Sequence, residues 1–157
     1  MAVTVRHATR ADAEAIAGYA VALFELHAKW DPRRFTQIAT LEGATGFYGD
    51  RAEAGSVLVA EVDGKTAGFA YFEYEPTLYA ELATRVLWLH DIYVGEEFRG
   101  KGVGREVLNS VTTEAKRLGA NKVLLTVAAR NDEGRSFFER IGFETTMHEM
   151  MLAVDGK

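Results

Sequence analysis

The 157 residues are the length of one domain, spanning 1–157, and a chain of this size can bury a full core without staples. The absence of cysteine excludes disulfides, thiolate metal sites and a cysteine nucleophile, and 48% hydrophobic with 26% charged residues excludes a disordered chain. Lys+Arg number 18 against 23 Asp+Glu, a net charge of −5 without a basic stripe, so no nucleic-acid partner is expected.

Val3 to His7 alternates and predicts a short strand. Thr9 with Asp12 reads as a helix start. Ile16, Ala20, Leu23, His27 and Trp30 then recur at helical spacing, so a helix runs to about residue 29 and stops before Pro32. Its longest apolar run, Ile16 to Phe24, is too short to span a bilayer and has acidic flanks where a signal peptide has basic ones. No membrane partner is expected, and the location expected is the cytoplasm. A weaker, glycine-interrupted helix is expected between Leu41 and Ala54. Ser56 to Val62 and Lys65 to Tyr74 form a hairpin around Asp63-Gly64, and residues 75–84 read as a connection. Val86 to Val94 is almost wholly apolar, as a strand buried on both faces is. After the loop Gly95 to Gly104, a helix carries Val103, Val107, Val111 and Ala115 on one face and ends at Leu118-Gly119. Lys122 to Val127 predicts a buried strand, Asn131 to Ile141 a short helix, and Phe143 to Ala153 a final strand. The sum is a mixed α/β domain.

Strand, Arg99-Gly100-Lys101-Gly102-Val103-Gly104, then helix is an anion site in physical terms. The first turn of a helix has unpaired N–H groups and the positive end of the dipole, and glycines allow a phosphate close to the backbone. A phosphate or pyrophosphate is expected over residues 100–105. Gly95 to Lys101 supplies GxxxxGK, but Gly102 follows where a P-loop needs Ser or Thr for Mg²⁺. A dinucleotide fold needs GxGxxG after the first strand, whereas GxGxG stands here late in the chain. Taken alone, the segment also fits a glycine-rich turn with structural duties only.

Arg99-x-x-Gly102-x-Gly104 after an apolar strand, followed by Asn131 and by Phe137 to Phe143 (FFERIGF), resembles the acetyl-CoA-binding core of the GCN5-related N-acetyltransferase (GNAT) superfamily. Residues 56–144 carry the resemblance most specifically. The aromatic and acidic stretch Gly68 to Val94 is similar, more distantly, to the diamine (spermidine/spermine) acetyltransferase branch. The resemblance implies a central, mostly antiparallel mixed sheet flanked by helices, and acetyl-CoA as cosubstrate. It implies that Ile92, Tyr93 and Val94 offer backbone groups to the pantetheine arm. Arg99, Gly100, Lys101, Gly102, Val103, Gly104 and Arg105 would hold the pyrophosphate, and Asn131 would reach the pantetheine. Asn131 also reads as a helix N-cap, and the two roles are compatible.

Acetyl transfer requires a deprotonated amine in attack geometry, a donor for the carbonyl oxygen and a proton for the thiolate. The family's usual acid is a tyrosine in the short C-terminal helix, and Phe138 stands at that position here. Either another group, such as Tyr71 or Tyr93, or water supplies the proton, or the thiolate leaves as it is. By the same resemblance His90 occupies a position where the diamine branch carries a carboxylate, which makes His90 the candidate base and Asp91 a second candidate. Both also read as structural residues of a buried strand, with Asp91 on the opposite face. His27, Trp30 and the mixed charges after it suit an acceptor pocket or an ordinary helix end. No histidine or carboxylate shows metal-ligand spacing, so no metal is expected.

The expected function is acetyl transfer to a primary amine of a small molecule, polyamine-like or other, by direct attack. Alternatives are a non-catalytic acyl-CoA-binding or regulatory module that lost its acid at position 138, and an acetyltransferase of peptide or protein amines. The resemblance and the apolar residues near the C-terminus imply a homodimer.

Overall fold

A computed structural model describes residues 1–156. One sheet holds five strands in chain order: β1 (Val3–His7), β2 (Val57–Val62), β3 (Lys65–Leu78), β4 (Ala83–Val94) and β5 (Lys122–Leu124). Neighbours from β1 to β4 run antiparallel, and β5 runs parallel to β4. The parallel pair is bridged by a helix, as a same-direction crossover requires. Among the described residues four α-helices accompany the sheet: α1 (Ala13–Trp30), α2 (Leu41–Glu53), α3 (Val103–Leu118) and α4 (Asp132–Ile141).

Each sheet face has its own core. Leu58, Phe72, Leu87 and Leu89 pack with Val103, Val107 and Val111 of α3 and Phe138 of α4. On the other face Val57, Val59, Phe69 and Tyr71 pack with Ile16, Ala17 and Ala20 of α1 and Tyr48 of α2. Double coverage is why β2 and β4 read as apolar runs rather than as alternating strands. The entry to α1 is pinned by charge. Arg6 bridges Asp12 and Glu61 at 2.9 and 2.8 Å, and Asp12 accepts the Thr9 backbone N–H at 2.8 Å.

The structure differs from the sequence reading in three places. Residues 75–84 are mostly ladder, because Glu75 pairs with Val86, Thr77 with Thr84 and Leu78 with Ala83. Pro76 has no N–H to donate, yet the hairpin passes it, with Arg85 opposite at φ 56°. The strand expected over 122–127 keeps only Lys122–Leu124, since the chain then diverges from β4. The strand expected over Phe143 to Ala153 is not present: among the described residues no ladder joins the segment.

Candidate active site

A cleft of about 450 Å³ opens where β5 stops following β4. Its walls are α1 at Phe24 and His27, the loop 34–39, β4 at His90 and Asp91, and the diverging chain at 125–128, with Asn131 and with Phe138 of α4. The opening follows from register. β4 and β5 pair at Val86–Lys122, Leu87–Val123 and Trp88–Leu124 and no further, which leaves the later part of β4 uncovered on that edge.

At the same point β4 carries a bulge. Tyr71 pairs with Asp91 and Phe72 with Leu89, so His90 is the extra residue. Alternation would put His90 and Asp91 on opposite faces, as the sequence reading had it for Asp91. The bulge resets the alternation, and both project to the α1/α2 side. The His90 ring stacks on Tyr71 at 5.1 Å between centroids, and Asp91 accepts the Tyr48 hydroxyl at 2.6 Å. Leu89 and Ile92 still face the α3/α4 core.

The electrostatics separate the two groups. Burial lowers the His90 pKa, against the raising influence of the Asp91, Glu73 and Glu75 carboxylates. Burial raises the Asp91 pKa, opposed by the Tyr48 hydrogen bond and by His90 and His27. His90 is therefore a neutral imidazole at neutral pH and Asp91 an unusually basic carboxylate. On the facing wall, His27 Nδ1–H donates to the Leu23 carbonyl at 2.8 Å. Trp30 and Phe35 meet the His27 ring edge-on, each at 4.9 Å.

Tyr48 was not among the sequence candidates. It lies on a glycine-interrupted helix of weak periodicity, and only the tertiary fold brings it to Asp91. Its hydroxyl pKa is raised by burial and by the Asp91 charge, so it stays protonated and donates. Tyr71 is also committed: its hydroxyl donates to Glu73 at 2.9 Å, and burial pushes its pKa up to about 12. That removes Tyr71 as an easy proton donor to a thiolate. Tyr93 packs against Tyr19 at 5.5 Å, under the Arg99 guanidinium.

The glycine loop divides its labour. Arg99 Nε donates to the Val94 carbonyl at 2.9 Å, and Lys101 Nζ to the Glu97 carbonyl at 2.9 Å, so both side chains brace the loop. Arg105 is exposed and, among the described residues, makes no hydrogen bond or ion pair. Gly102 caps α3 at φ 83°, and a Cβ there would meet nothing within 4 Å. Its conformation demands glycine, and the space before the helix N-terminus is open. A free cation, unpaired first-turn N–H groups and open space fit a pyrophosphate. Gly104 has a different duty: a Cβ there would come within 2.9 Å of Phe137 Cζ, so the glycine lets α3 sit against α4. Gly104→Val is expected to cost about 1–3 kcal/mol by overpacking. The melting temperature should fall by about 2–4 °C for each kcal/mol, read by calorimetry.

Asn131 Oδ1 accepts the Gly134 N–H at 2.9 Å, which makes it the N-cap of α4, while the residue also lines the cleft. Phe138 is buried among Phe137 and Phe143 with one edge on the cleft. Among the described residues no group of three potential metal-ligating side chains occurs, and no helix is long and apolar enough to cross a membrane.

The chain belongs to the acetyltransferase (GNAT) family, whose model matches residues 20–143, and by that membership it is an N-acetyltransferase. It is 30% identical to the uncharacterized N-acetyltransferase YhfO of Bacillus subtilis, over 89% of both chains. It is 28% identical to the L-amino acid N-acyltransferase MnaT of Escherichia coli, over 91% of this chain and 80% of that one. Against an uncharacterized N-acetyltransferase of Methanocaldococcus jannaschii, 35% identical, the match takes in 55% of this chain but only 38% of the relative. The fold is that of the aminoglycoside N-acetyltransferase AAC(6')-Iy, solved in complex with CoA, with a TM-score of 0.75 at 17% identity over 97% of this chain and 94% of that one.

Proposed function

We propose that the protein, as a cytoplasmic homodimer, transfers the acetyl group of acetyl-CoA to a primary amine of a small molecule, polyamine-like or other, by direct attack. The observation that carries this reading is the bulge at His90. It sets a neutral imidazole and a half-buried carboxylate side by side in a cleft that Asn131 and Phe138 also line. The name of the Escherichia coli relative, an L-amino acid N-acyltransferase, supports a small acceptor.

In this reading the first-turn N–H groups of α3 at Val103 to Arg105, with Arg105 itself, hold the pyrophosphate, and Gly100 and Gly102 keep that approach clear. Ile92, Tyr93 and Val94 present backbone to the pantetheine arm along the edge of β4 that β5 has left. A main-chain N–H near Val94 donates to the carbonyl oxygen as charge develops. His90 takes the proton of the acceptor amine, directly or through one water, and Asp91 supports the imidazolium that results. Phe138 fills the place of the usual acid, so the thiolate leaves without a side-chain proton donor. A thiol of pKa about 8.5 allows that near neutral pH.

Acetyl-CoA at about one hundred times its Kd adds ~2.7 kcal/mol of stability. That corresponds to a rise of roughly 5–10 °C in melting temperature for a domain of this size. A thermal melt with and without saturating acetyl-CoA reads it, and no shift contradicts the cosubstrate. Phe138→Tyr should fold and remain active, with a kcat equal to or above that of the wild type, because a hydroxyl on that ring restores an acid at the cleft. Steady-state kinetics compare the two. A Phe138→Tyr enzyme that folds and has lost activity would place that side chain against the reacting groups for another purpose.

A further inference from the structure

His27 ends the apolar stripe of α1, and its ring is held on three sides. Nδ1 bonds the Leu23 carbonyl one turn back at 2.8 Å. A carbonyl only accepts, so the hydrogen of that bond is on Nδ1. Trp30, at the end of α1, and Phe35, on the loop after it, close on the ring edge-on. The second nitrogen, Nε2, has no hydrogen-bond partner among the described residues. No buried side-chain nitrogen or oxygen among them lacks a partner, so Nε2 is open to solvent. The ring lines the cleft, on the wall across from His90 and Asp91.

Most other polar side chains of the cleft are committed. Asp91 accepts from Tyr48, Arg34 pairs with Glu149, and Asn131 caps α4. Thr36 and Gln37 stand on the loop and, among the described residues, make no side-chain hydrogen bond that would fix them. His27 combines a fixed ring with an open nitrogen, which is what a group that orients a reactant needs. It is also near the reacting end, because the Asp91 carboxylate is influenced by His27 as well as by His90.

We propose that His27 is an acceptor-binding residue: Nε2 accepts a hydrogen bond from the acceptor nitrogen while His90 takes a proton from that same atom. The inference rests on the acetyl-transfer reading above and gives its preference for primary amines a physical cause. An uncharged imidazole whose Nδ1 carries the hydrogen has its lone pair at Nε2. A neutral primary amine has two N–H groups and a lone pair. One N–H faces each imidazole, and the lone pair is left for the thioester carbon. As the N–C bond forms and the C–S bond breaks, one proton passes to His90 and the thiolate departs. The other N–H stays on the product amide, against His27. A secondary amine has a single N–H, which the base consumes, so His27 is left facing carbon. A site built to bond an N–H rejects the analogue that lacks it.

The experiment offers the full chain, with acetyl-CoA, matched amine pairs: L-alanine and N-methyl-L-alanine, putrescine and N,N′-dimethylputrescine, benzylamine and N-methylbenzylamine. Thiol release gives kcat/KM for each member. Where an N-methyl amine is not turned over, its Ki as a competitor is read instead. Wild type is compared with His27→Asn and His27→Gln, and thermal melts check the fold of both. Asparagine can keep the Leu23 bond but does not reach the position of Nε2, whereas glutamine does. Wild type should prefer the primary member of a pair. In His27→Asn that preference should fall about 5–10-fold, the worth of one hydrogen bond, with the loss on the primary amine. His27→Gln should recover part of it, and the Kd of acetyl-CoA should stay the same in both. A wild type that takes the N-methyl member as readily overturns the inference without any variant. So does a folded His27→Asn with unchanged preference or an equal loss on both members, and so does a His27→Gln no more selective than His27→Asn. Each of these leaves acetyl transfer standing. No thiol release by wild type with any primary amine overturns both.

Discussion

His90→Ala lowers kcat/KM by about 10²-fold, the low end of general-base effects, while the Kd of acetyl-CoA changes little. The two halves of the expectation separate because His90 sits on the bulge whereas the anion site is at the N-terminus of α3. The pH dependence carries the sign. Burial lowers the His90 pKa, so the side chain becomes a competent base below the ordinary histidine value. The acceptor amine titrates in the same profile, but the ratio of wild type to His90→Ala cancels it. That ratio should rise with pH through a limb lying below 6.5 and then level off. Asp91→Asn should move the limb further down, because the carboxylate charge that holds the His90 pKa up is gone. It should also lower the plateau. If His90→Ala keeps full activity on a good acceptor, Asp91 itself or bulk water takes the proton.

Gly102→Val removes most of the affinity for acetyl-CoA. The substitution puts a β-branched residue at φ 83°, a strained conformation for it, and fills the open space before the α3 N-terminus. Loss of two charge-assisted hydrogen bonds, at about 1.5–3 kcal/mol each, corresponds to roughly 10²–10⁴-fold in Kd. The position is exposed, so the unliganded protein should still fold. Isothermal titration reads the affinity, and melting of the unliganded variant reads the fold. A Gly102→Val protein that binds acetyl-CoA normally would move the pyrophosphate away from this loop.

Which parts of this were legible beforehand follows from the range of the interactions that fix them. The helix from Ala13 to Trp30, the turn at Asp63-Gly64, and α3 with its glycine caps are set by local spacing and local backbone, and they stand where periodicity puts them. The bulge at His90 is invisible in VLWLHDIYV, because a strand apolar on both faces carries no alternation for a bulge to interrupt. The consequence was the wrong face for Asp91. Tyr48 escaped for a related reason: Gly43, Gly46 and Gly49 dilute the pattern of α2, and its bond to Asp91 spans the two ends of a long sequence separation. The segment 143–153 alternates as strands do, but alternation reports side-chain faces and says nothing about whether an edge supplies the hydrogen bonds. In sequence the loop glycines look alike, and only the structure distinguishes Gly102, demanded by conformation, from Gly104, demanded by Phe137.

The reaction itself is the most direct test. Purified protein with acetyl-CoA is offered a panel of small primary amines, L-amino acids and polyamines among them, and free CoA thiol is followed with time. The account predicts amine-dependent thiol release with at least one of them, in stoichiometric balance with the N-acetylated product seen by mass spectrometry, and abolished or cut about 10²-fold in His90→Ala. Acetyl-CoA that binds with the expected thermal shift, yet releases no thiol with any small amine and does so with a peptide amine, would contradict the small-molecule acceptor. No release with any amine at all would contradict catalysis in this cleft.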